Sequence, residues 1–287
     1  MSLIYTLLKN AHIKDWLYLG VTMYIGVNDK SKTINQIFAG VNGVAKLIYT
    51  KAVAPEPPKF ELPTFTGSHT VFGDANSGRI EIYESGTLVL SPATYDLFAV
   101  GGGGKGGSDV GGGGGGGYTE TQTGYIVENS KSFQVTVGAG SSSTKIIDPR
   151  LVSIIEALPG KNGAKRAGGN GGSGGGGAGS GGGGGSNGGN GGRGNPSGSI
   201  GGSGQGTTTK SFGESNGTLY AGGGGGSSGS SNNTNYGGAG GGGNGVYARP
   251  TATGGTPNTG GGGGGNGGDY SGKEGGSGIV IIRWNNT

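Results

Sequence analysis

The sequence predicts an all-β protein with a long glycine-rich insert placed before its last strand. Three observations predict it. Gly supplies 79 of 287 residues, about 28%, against a usual ~7%. The glycine is clustered, with 24 in residues 1–159 and 55 in residues 160–278. Short apolar runs with strand-like alternation lie on both sides of that cluster. Hydrophobic residues are 30% and charged residues 13% of the chain, both below the ordinary ~45–50% and ~25%. That composition excludes an average enzyme domain, because a conventional core of this size cannot be filled. Glycine in solid runs rather than at every third position excludes collagen.

Residues 1–50 read as a small N-terminal α/β module. Leu3, Ile4, Leu7, Leu8 and Ala11 fit a short amphipathic helix. A weak repeat follows, Tyr24-Ile25-Gly26-Val27-Asn28 and Phe38-Ala39-Gly40-Val41-Asn42, which predicts two related strand–turn units. Residues 51–63 contain four prolines and predict an extended, semi-rigid spacer. The glycine-rich domain then fills residues 64–287, with a β-core at 64–100, 118–148 and 279–284. In it Arg79–Glu84 alternates, with Ile80 and Ile82 on one face. Further strands are predicted at Thr87–Leu90, Tyr95–Val100, Gly124–Val127 and Ser132–Val137. Residues 150–157 are apolar enough for a helix or a strand. Ile279-Val280-Ile281-Ile282 reads as a strand returning to the same sheet, which ties the insert at both ends.

Between residues 160 and 278 the large apolar residues are Ile200, Phe212, Leu219, Tyr220, Tyr236, Val246, Tyr247 and Tyr270. These cannot build a standard core. Two physical states are open to such a segment. One is flexible coil, since nothing offsets the loss of backbone entropy. The other is a bundle of polyglycine II helices over 101–117 and 160–278, each with three residues per turn and no internal hydrogen bonds. Its outward N–H and C=O groups would bond between helices that approach closely for want of a Cβ. The bundle predicts even glycine runs separated by loops, and the runs are 101–107, 111–117, 168–185, 201–206, 221–226, 237–245 and 260–268. The Ser, Asn and Ala residues within them are expected on the outside.

Site chemistry is sparse. Cys is absent and His12 and His69 are the only histidines, so no cofactor or metal site and no catalytic residues are predicted. Glu81 and Glu84 fall on opposite sides of a strand. Gly267-Gly268-Asp269 is solitary rather than a calcium-binding repeat. The formal charge of +4 is thinly spread, with no Lys/Arg block to hold nucleic acid. No apolar stretch suits membrane insertion. The start Met1-Ser2-Leu3-Ile4-Tyr5 lacks the features of a signal peptide, so an extracellular role implies another exit, such as lysis.

From Phe65 to Trp284 the chain resembles the glycine-rich domain of phage and prophage tail proteins. The resemblance rests on Thr66-Gly67-Ser68, Ser85-Gly86-Thr87-Leu88, Phe98-Ala99-Val100 before glycine, and Gly117-Tyr118. It also rests on Val135-Thr136-Val137-Gly138-Ala139-Gly140 and on the closing Gly275–Trp284. The stretch Gly40–Ala45 is similar to modules of such tail proteins. Polyglycine bundles are also known in T-even-like tail-fibre adhesins. The resemblance implies a jelly-roll-like β-sandwich joined to a polyglycine II bundle, a role in adhesion, and a place in a virion tail or an extracellular phage-like particle. It selects the ordered bundle over the coil.

One helix per run, with 260–278 as a single pass, fixes which loops lie away from the sheet. Residues 108–110, 207–220 and 246–259 fall at the distal end and 227–236 near the sheet. The distal loops offer Phe212, Asn216, Tyr220, Tyr247, Arg249, Thr251 and Thr253 as receptor-binding residues, because aromatic and Arg anchors with adaptable polar neighbours suit contact surfaces. The expected partners are a bacterial surface glycan or protein, other tail proteins through the N-terminal module, and copies of the chain in a homotrimer. The alternatives are a structural tail or cell-surface protein without a ligand and an ice-binding protein. An enzyme is not expected.

Overall fold

A computed structural model describes residues 59–179, 183–184, 189–190, 209–228, 234–247 and 251–286, and the backbone of three strands nearer the N-terminus. The chain divides into two compact units, Met1–Pro57 and Pro58–Thr287. In the first, β1 (Thr22–Tyr24), β2 (Gln36–Val41) and β3 (Val44–Thr50) form an antiparallel sheet in that order. Tyr24 pairs in register with Phe38, so the first residues of the two halves of the weak repeat are partners across β1 and β2. The helix expected over residues 3–11 lies outside the described residues, as do residues 51–58 of the proline-rich stretch.

The described part of the second unit is nearly all-β, built on two antiparallel sheets. The strands are β4 (Thr64–Phe65), β5 (His69–Gly73), β6 (Ser77–Ile82), β7 (Gly86–Leu90) and β8 (Ala93–Val100), then β9 (Thr119–Val127), β10 (Lys131–Thr136), β11 (Thr144–Ile147), β12 (Ser153–Ala157) and β13 (Ile279–Asn285). One sheet runs β12-β11-β10-β7-β4 and the other β5-β6-β13-β8-β9. The returning strand β13 sits in the middle of its sheet, between β6 and β8, as the apolar run Ile279–Ile282 predicts. A strand bonded on both edges holds the insert's C-terminal end in place.

Strict alternation builds the core. Ile80, Ile82, Leu97, Val280 and Ile282 from one sheet cluster with Leu88, Leu90, Phe133, Val135 and Ile146 from the other. Each such side chain contributes about 1.5–3 kcal/mol by leaving water. Tyr95 is also inside. Its hydroxyl donates to the Ser91 carbonyl at 2.9 Å, and burial pushes its pKa up. Residues 150–157 resolve into a turn and the edge strand β12, which joins the core through Ile155 and Ala157. The spacer expected to reach residue 63 ends sooner. Phe60 packs on Trp284 at 5.9 Å, and Glu61 exchanges backbone bonds with the Ser91 hydroxyl at 2.9 and 2.7 Å.

Glycine-rich segments leave β8 and return to β13 as a block of passes that are neither helix nor strand, stitched by backbone hydrogen bonds. The pass 111–117 is the clearest case, buried along its whole length. Gly112 and Gly115 donate to the Ala164 and Lys161 carbonyls, Gly113 and Gly116 to Gly176 and Ser173, and Gly114 and Gly117 to Gly263 and Gly260, all at 2.7–2.9 Å. Partners therefore recur every third residue rather than every second. The directions in which a Cβ would point follow the same period. Gly112 and Gly115 face the Ala167 and Asn170 carbonyls, Gly113 and Gly116 face Gly224 and Ala221, and Gly114 and Gly117 face Gly104 and Gly101, each oxygen 1.9–2.2 Å from the Cβ position. Six stretches of chain thus surround this pass, and three of them approach too closely for any side chain.

Not every intruder lies outside, as the sequence suggested. Ser173, Ala178, Ala221 and Asn266 are fully buried, and so are Ser227 and Ser228, just past the end of a run. Asparagines outside the runs replace a backbone partner: the Asn235 amide donates to the Gly226 carbonyl at 2.8 Å, and the Asn162 side-chain oxygen accepts from the Lys105 N–H at 2.8 Å.

The expected loop positions are corrected, because the chain reverses at three places where the sequence predicts a single pass or a loop. Residues 260–278 are two antiparallel passes, not one: Gly260 donates to the Ser277 carbonyl, Gly276 to Gly261 and Lys273 to Gly264, at 2.7–3.0 Å. The run 237–245 also folds back, with Gly242 bonded to Gly238 and the turn at Gly240 and Gly241, whose φ of 89° and 97° only glycine adopts freely. The region 246–259 contains a return pass of its own, bonded through Thr253 to Asn244 and Thr256 to Gly241. Glycine permits a reversal inside a run, so run count does not fix parity. Residues 209–220 therefore lie against the sheet, and Ser227–Ser228 at the far end beside Gly111.

Candidate functional site

The face of the β5-β6-β13-β8-β9 sheet turned away from the core carries a row of side chains set by register. Phe72 on β5 pairs with Arg79 on β6, Arg79 with Arg283 on β13, and Arg283 with Asp96 on β8. Two residues along, the same face carries Thr70, Glu81, Ile281 and Phe98. The row is charge-paired: Arg79 Nε donates to Glu81 Oε1 at 2.7 Å, and Arg283 Nε donates to Asp96 Oδ2 at 3.0 Å.

Segment 209–220 roofs this row as a small hairpin. Ser211 donates to the Thr218 carbonyl and Tyr220 to the Thr209 carbonyl, both at 2.9 Å, and Lys210 Nζ donates to the Ser215 carbonyl. At its bend Phe212 has φ 56°, a left-handed conformation that costs about 1–2 kcal/mol for a side chain of this kind. Packing offsets that cost. The Phe212 ring lies 5.5 Å from Phe98 and under the Arg283 guanidinium at 4.1 Å, while Tyr220 packs at a tilt against Phe98 at 5.5 Å. Arg283 Nη1 also donates to Glu214 Oε1 at 2.6 Å, which pins the loop to the sheet. Burial works against the Arg283 charge, and the bonds to Glu214 and Asp96 more than restore it, raising its pKa. Burial, reinforced by the Glu81 charge, pushes the Tyr220 hydroxyl up to about 12.

The loop and the sheet enclose a cleft of about 770 Å³ with Phe72, Arg79, Glu81, Asp96, Phe212, Glu214, Asn216, Tyr220 and Arg283 on its walls. Phe72 is 39% exposed, with Arg79 over its ring at 4.2 Å. Three of the residues predicted for receptor contact, Phe212, Asn216 and Tyr220, come together here, at the sheet rather than at the distal end. Tyr220 is 8% exposed, at the end of the roofing segment. The others are not brought to this cleft. Tyr247 lies in the block with its ring against Gly267. Thr251 is exposed, and Thr253 binds its hydroxyl to the Asn244 N–H at 2.7 Å. Arg249 lies outside the described residues.

Sequence reasoning missed Phe72, Arg79, Glu81, Asp96 and Arg283. Part of the signal was present: the alternation that sends Ile80 and Ile82 inward sends Arg79 and Glu81 outward together, and Arg283 interrupts an apolar strand. What joins them to segment 209–220 is a contact nearly 70 residues apart in sequence, visible only once the fold is known.

At the opposite end of the glycine block, Asp109 and Val110 turn with φ of 51° and 61°, and Arg166 with 65°. The Arg166 N–H donates to the Val110 carbonyl at 2.9 Å and Lys165 pairs with Asp109 at 2.6 Å. Among the described residues no group of three or more acidic or histidine side chains could hold a metal ion, and no helix is long and apolar enough to cross a membrane.

A search of curated proteins finds no match to the chain. A family profile described as a glycine-rich domain matches residues 84–285, which takes in β7 to β13, the glycine block and the roof of the cleft. With the match covering most of the chain, the protein belongs to this glycine-rich domain family.

Proposed function

We propose that the chain is a tail-tip or tail-fibre adhesin of a phage or a prophage-derived particle, and that it binds a receptor on the bacterial surface. In this reading the two sheets are a jelly-roll-like β-sandwich, the glycine block is a bundle of polyglycine II helices, and the N-terminal unit attaches the chain to other tail proteins. The observation that carries it is the three-residue period of backbone bonding around Gly111–Gly117. Three residues per turn is the repeat of the polyproline II conformation, and rods bonded on all sides make a stiff body. Function tends to sit on loops held by such a scaffold. Candidate contact residues remain Phe212, Asn216 and Tyr220 at the cleft, Tyr247, Thr251 and Thr253 elsewhere on the block, and Arg249, which lies outside the described residues.

The test is binding of the labelled full chain to whole bacteria from a broad panel, with the double variants Phe212→Ala/Asn216→Ala and Tyr247→Ala/Thr251→Ala. Saturable binding to some strains, weakened by either pair, supports the reading. Absence of binding to every strain, with particles that fail to assemble when the gene is deleted, would replace it with a structural role.

A further inference from the structure

We propose that the cleft between segment 209–220 and the β5-β6-β13-β8 face is a binding site for an uncharged oligosaccharide. The proposal deepens the adhesin reading by giving that receptor a site and a chemical class.

Charge comes first. The cleft walls carry Glu81, Asp96 and Glu214 against Arg79 and Arg283, a formal excess of one negative charge. Both guanidinium groups are already engaged, Arg79 by Glu81 and Arg283 by Asp96 and Glu214. Neither cation is left to neutralise a sulfate, phosphate or uronate, and the carboxylate excess repels one. An anionic ligand is therefore disfavoured.

Hydrogen-bonding capacity comes next. Each guanidinium has five N–H donors and each carboxylate about four acceptor positions. The ion pairs use Nε of Arg79, and Nε and Nη1 of Arg283. Glu81 Oε2 also accepts from the Tyr83 hydroxyl, and Asp96 Oδ1 from the Gly124 N–H. Each carboxylate oxygen has a second acceptor position, so donors and acceptors remain side by side. Asn216, exposed on the rim, adds one of each. A ligand matching this surface must donate and accept at closely spaced points, which is the property of vicinal hydroxyls. Ion-paired planar groups are also fixed in orientation before the ligand arrives, which reduces the entropy lost on binding.

Apolar area completes the match. Phe72 and Phe212 both line the cleft, each with a guanidinium over one face, and Phe72 remains 39% exposed. Sugar rings present C–H faces that pack on such aromatic rings. An extended peptide fits less well. The row Phe72–Arg79–Arg283–Asp96 crosses four strands on the face of the sheet. Of these β6, β13 and β8 are bonded on both edges, and a strand added to the free edge of β5 would lie beside the sheet rather than over the row. The volume of about 770 Å³ is within the range of small-ligand sites and accommodates a short oligosaccharide.

The experiment is a glycan array probed with the full chain, followed by titration calorimetry with the best neutral oligosaccharide at 50 and 500 mM salt. The expected result is binding to neutral glycans, unchanged by salt because no net charge is exchanged. Phe72→Ala and Asn216→Ala, one on an edge strand and one on an exposed loop, each weaken it about tenfold or more, while thermal unfolding stays near wild type. Preference for acidic glycans, or neutral binding that survives both variants, would overturn the proposal. If the chain binds bacteria but no free glycan, the glycan site falls and the adhesin reading survives with a protein receptor. If it binds neutral glycans but no bacteria, the site stands and the adhesin reading falls.

Discussion

The two sheets and the glycine block lie end to end in one unit and are stabilised by opposite means. In the sheets, Ile80, Ile82, Leu88, Phe133 and Ile282 leave water, and the backbone bonds run between adjacent strands at a spacing that leaves room for side chains. In the block, the pass 111–117 is just as buried but contributes no side chain at all. Its stability comes from satisfied N–H and C=O groups and from contact between backbones. Burial and hydrophobicity are therefore separable: a segment of pure glycine is excluded from water because only glycine can pack that closely. Such an interior exposes little apolar surface on unfolding. The heat-capacity change of unfolding, measured by calorimetry, should fall well below the usual ~12–15 cal/mol/K per residue. A value in the ordinary range would mean that the block does not unfold with the sheets or is not formed.

The largest single-residue effect should come from a methyl group placed in the block. A Cβ on Gly114 would lie 2.0 Å from the Gly104 carbonyl oxygen, which is backbone and cannot swing aside. The pass 101–107 must move, and bonds such as Gly104 N–H to the Gly115 carbonyl stretch with it. Gly114→Ala should cost about 3 kcal/mol or more and lower Tm by roughly 10 °C. Leu88→Ala, the matching lesion in the sheets, should cost about 2–5 kcal/mol by leaving a cavity. The two lesions are opposite, one overfilled and one underfilled, and similar in size. Little change on Gly114→Ala would show that the passes are held more loosely than their bonds imply.

A smaller effect tests the seam between the two regions. Tyr220 has its hydroxyl pushed up to about 12, first by burial and then by the Glu81 charge. A pKa raised in the folded state above the ordinary value of 10.0 gives stability that is complete below pH 10 and lost as pH climbs toward 12. The loss is on the order of 2 kcal/mol. Chemical denaturation at pH 9 and pH 11 should show the decline in the wild-type protein and a shallower one in Tyr220→Phe. Tyr95 and Tyr125, whose pKa values are also raised, contribute to the remaining slope. Identical slopes would place the Tyr220 hydroxyl in water.

Much of the sheet region was legible in the sequence because period-two alternation survives wherever one face is buried, as in Arg79–Ile82 and Thr87–Leu90. The return of Ile279–Ile282 to the sheet was legible for the same reason. The short strands β4, β5 and β11 were not, since Thr64–Phe65 is two residues long and His69–Gly73 is largely exposed. In the block, the evenness of the runs pointed to order, but the direction of each pass did not follow. Gly240 and Gly241 reverse the chain without any change in composition to mark the turn, and at Gly268 the only mark is the short break Asp269-Tyr270-Ser271. That hidden reversal is why Phe212, Asn216 and Tyr220 were sent to the wrong end. The cleft partners Asp96 and Arg283 looked like ordinary strand polarity until segment 209–220 was folded over them.

The smallest effect separates two uses of glycine that composition cannot tell apart. Gly124 in β9 has φ +66°, and no heavy atom lies within 4 Å of its missing Cβ. Its N–H donates to Asp96 Oδ1 at 2.9 Å, opposite the register shift between Tyr95 and Leu97. Here glycine supplies a left-handed backbone, not closeness. Gly124→Ala should cost only about 1 kcal/mol, and Gly124→Asn less, because asparagine tolerates that conformation. At Gly114 the backbone is not left-handed and the obstacle is steric, so asparagine should be worse than alanine. Urea unfolding of the four variants measures both orders. The same order at both sites would mean that one mechanism governs both, and the distinction between the sheet glycine and the block glycine would collapse.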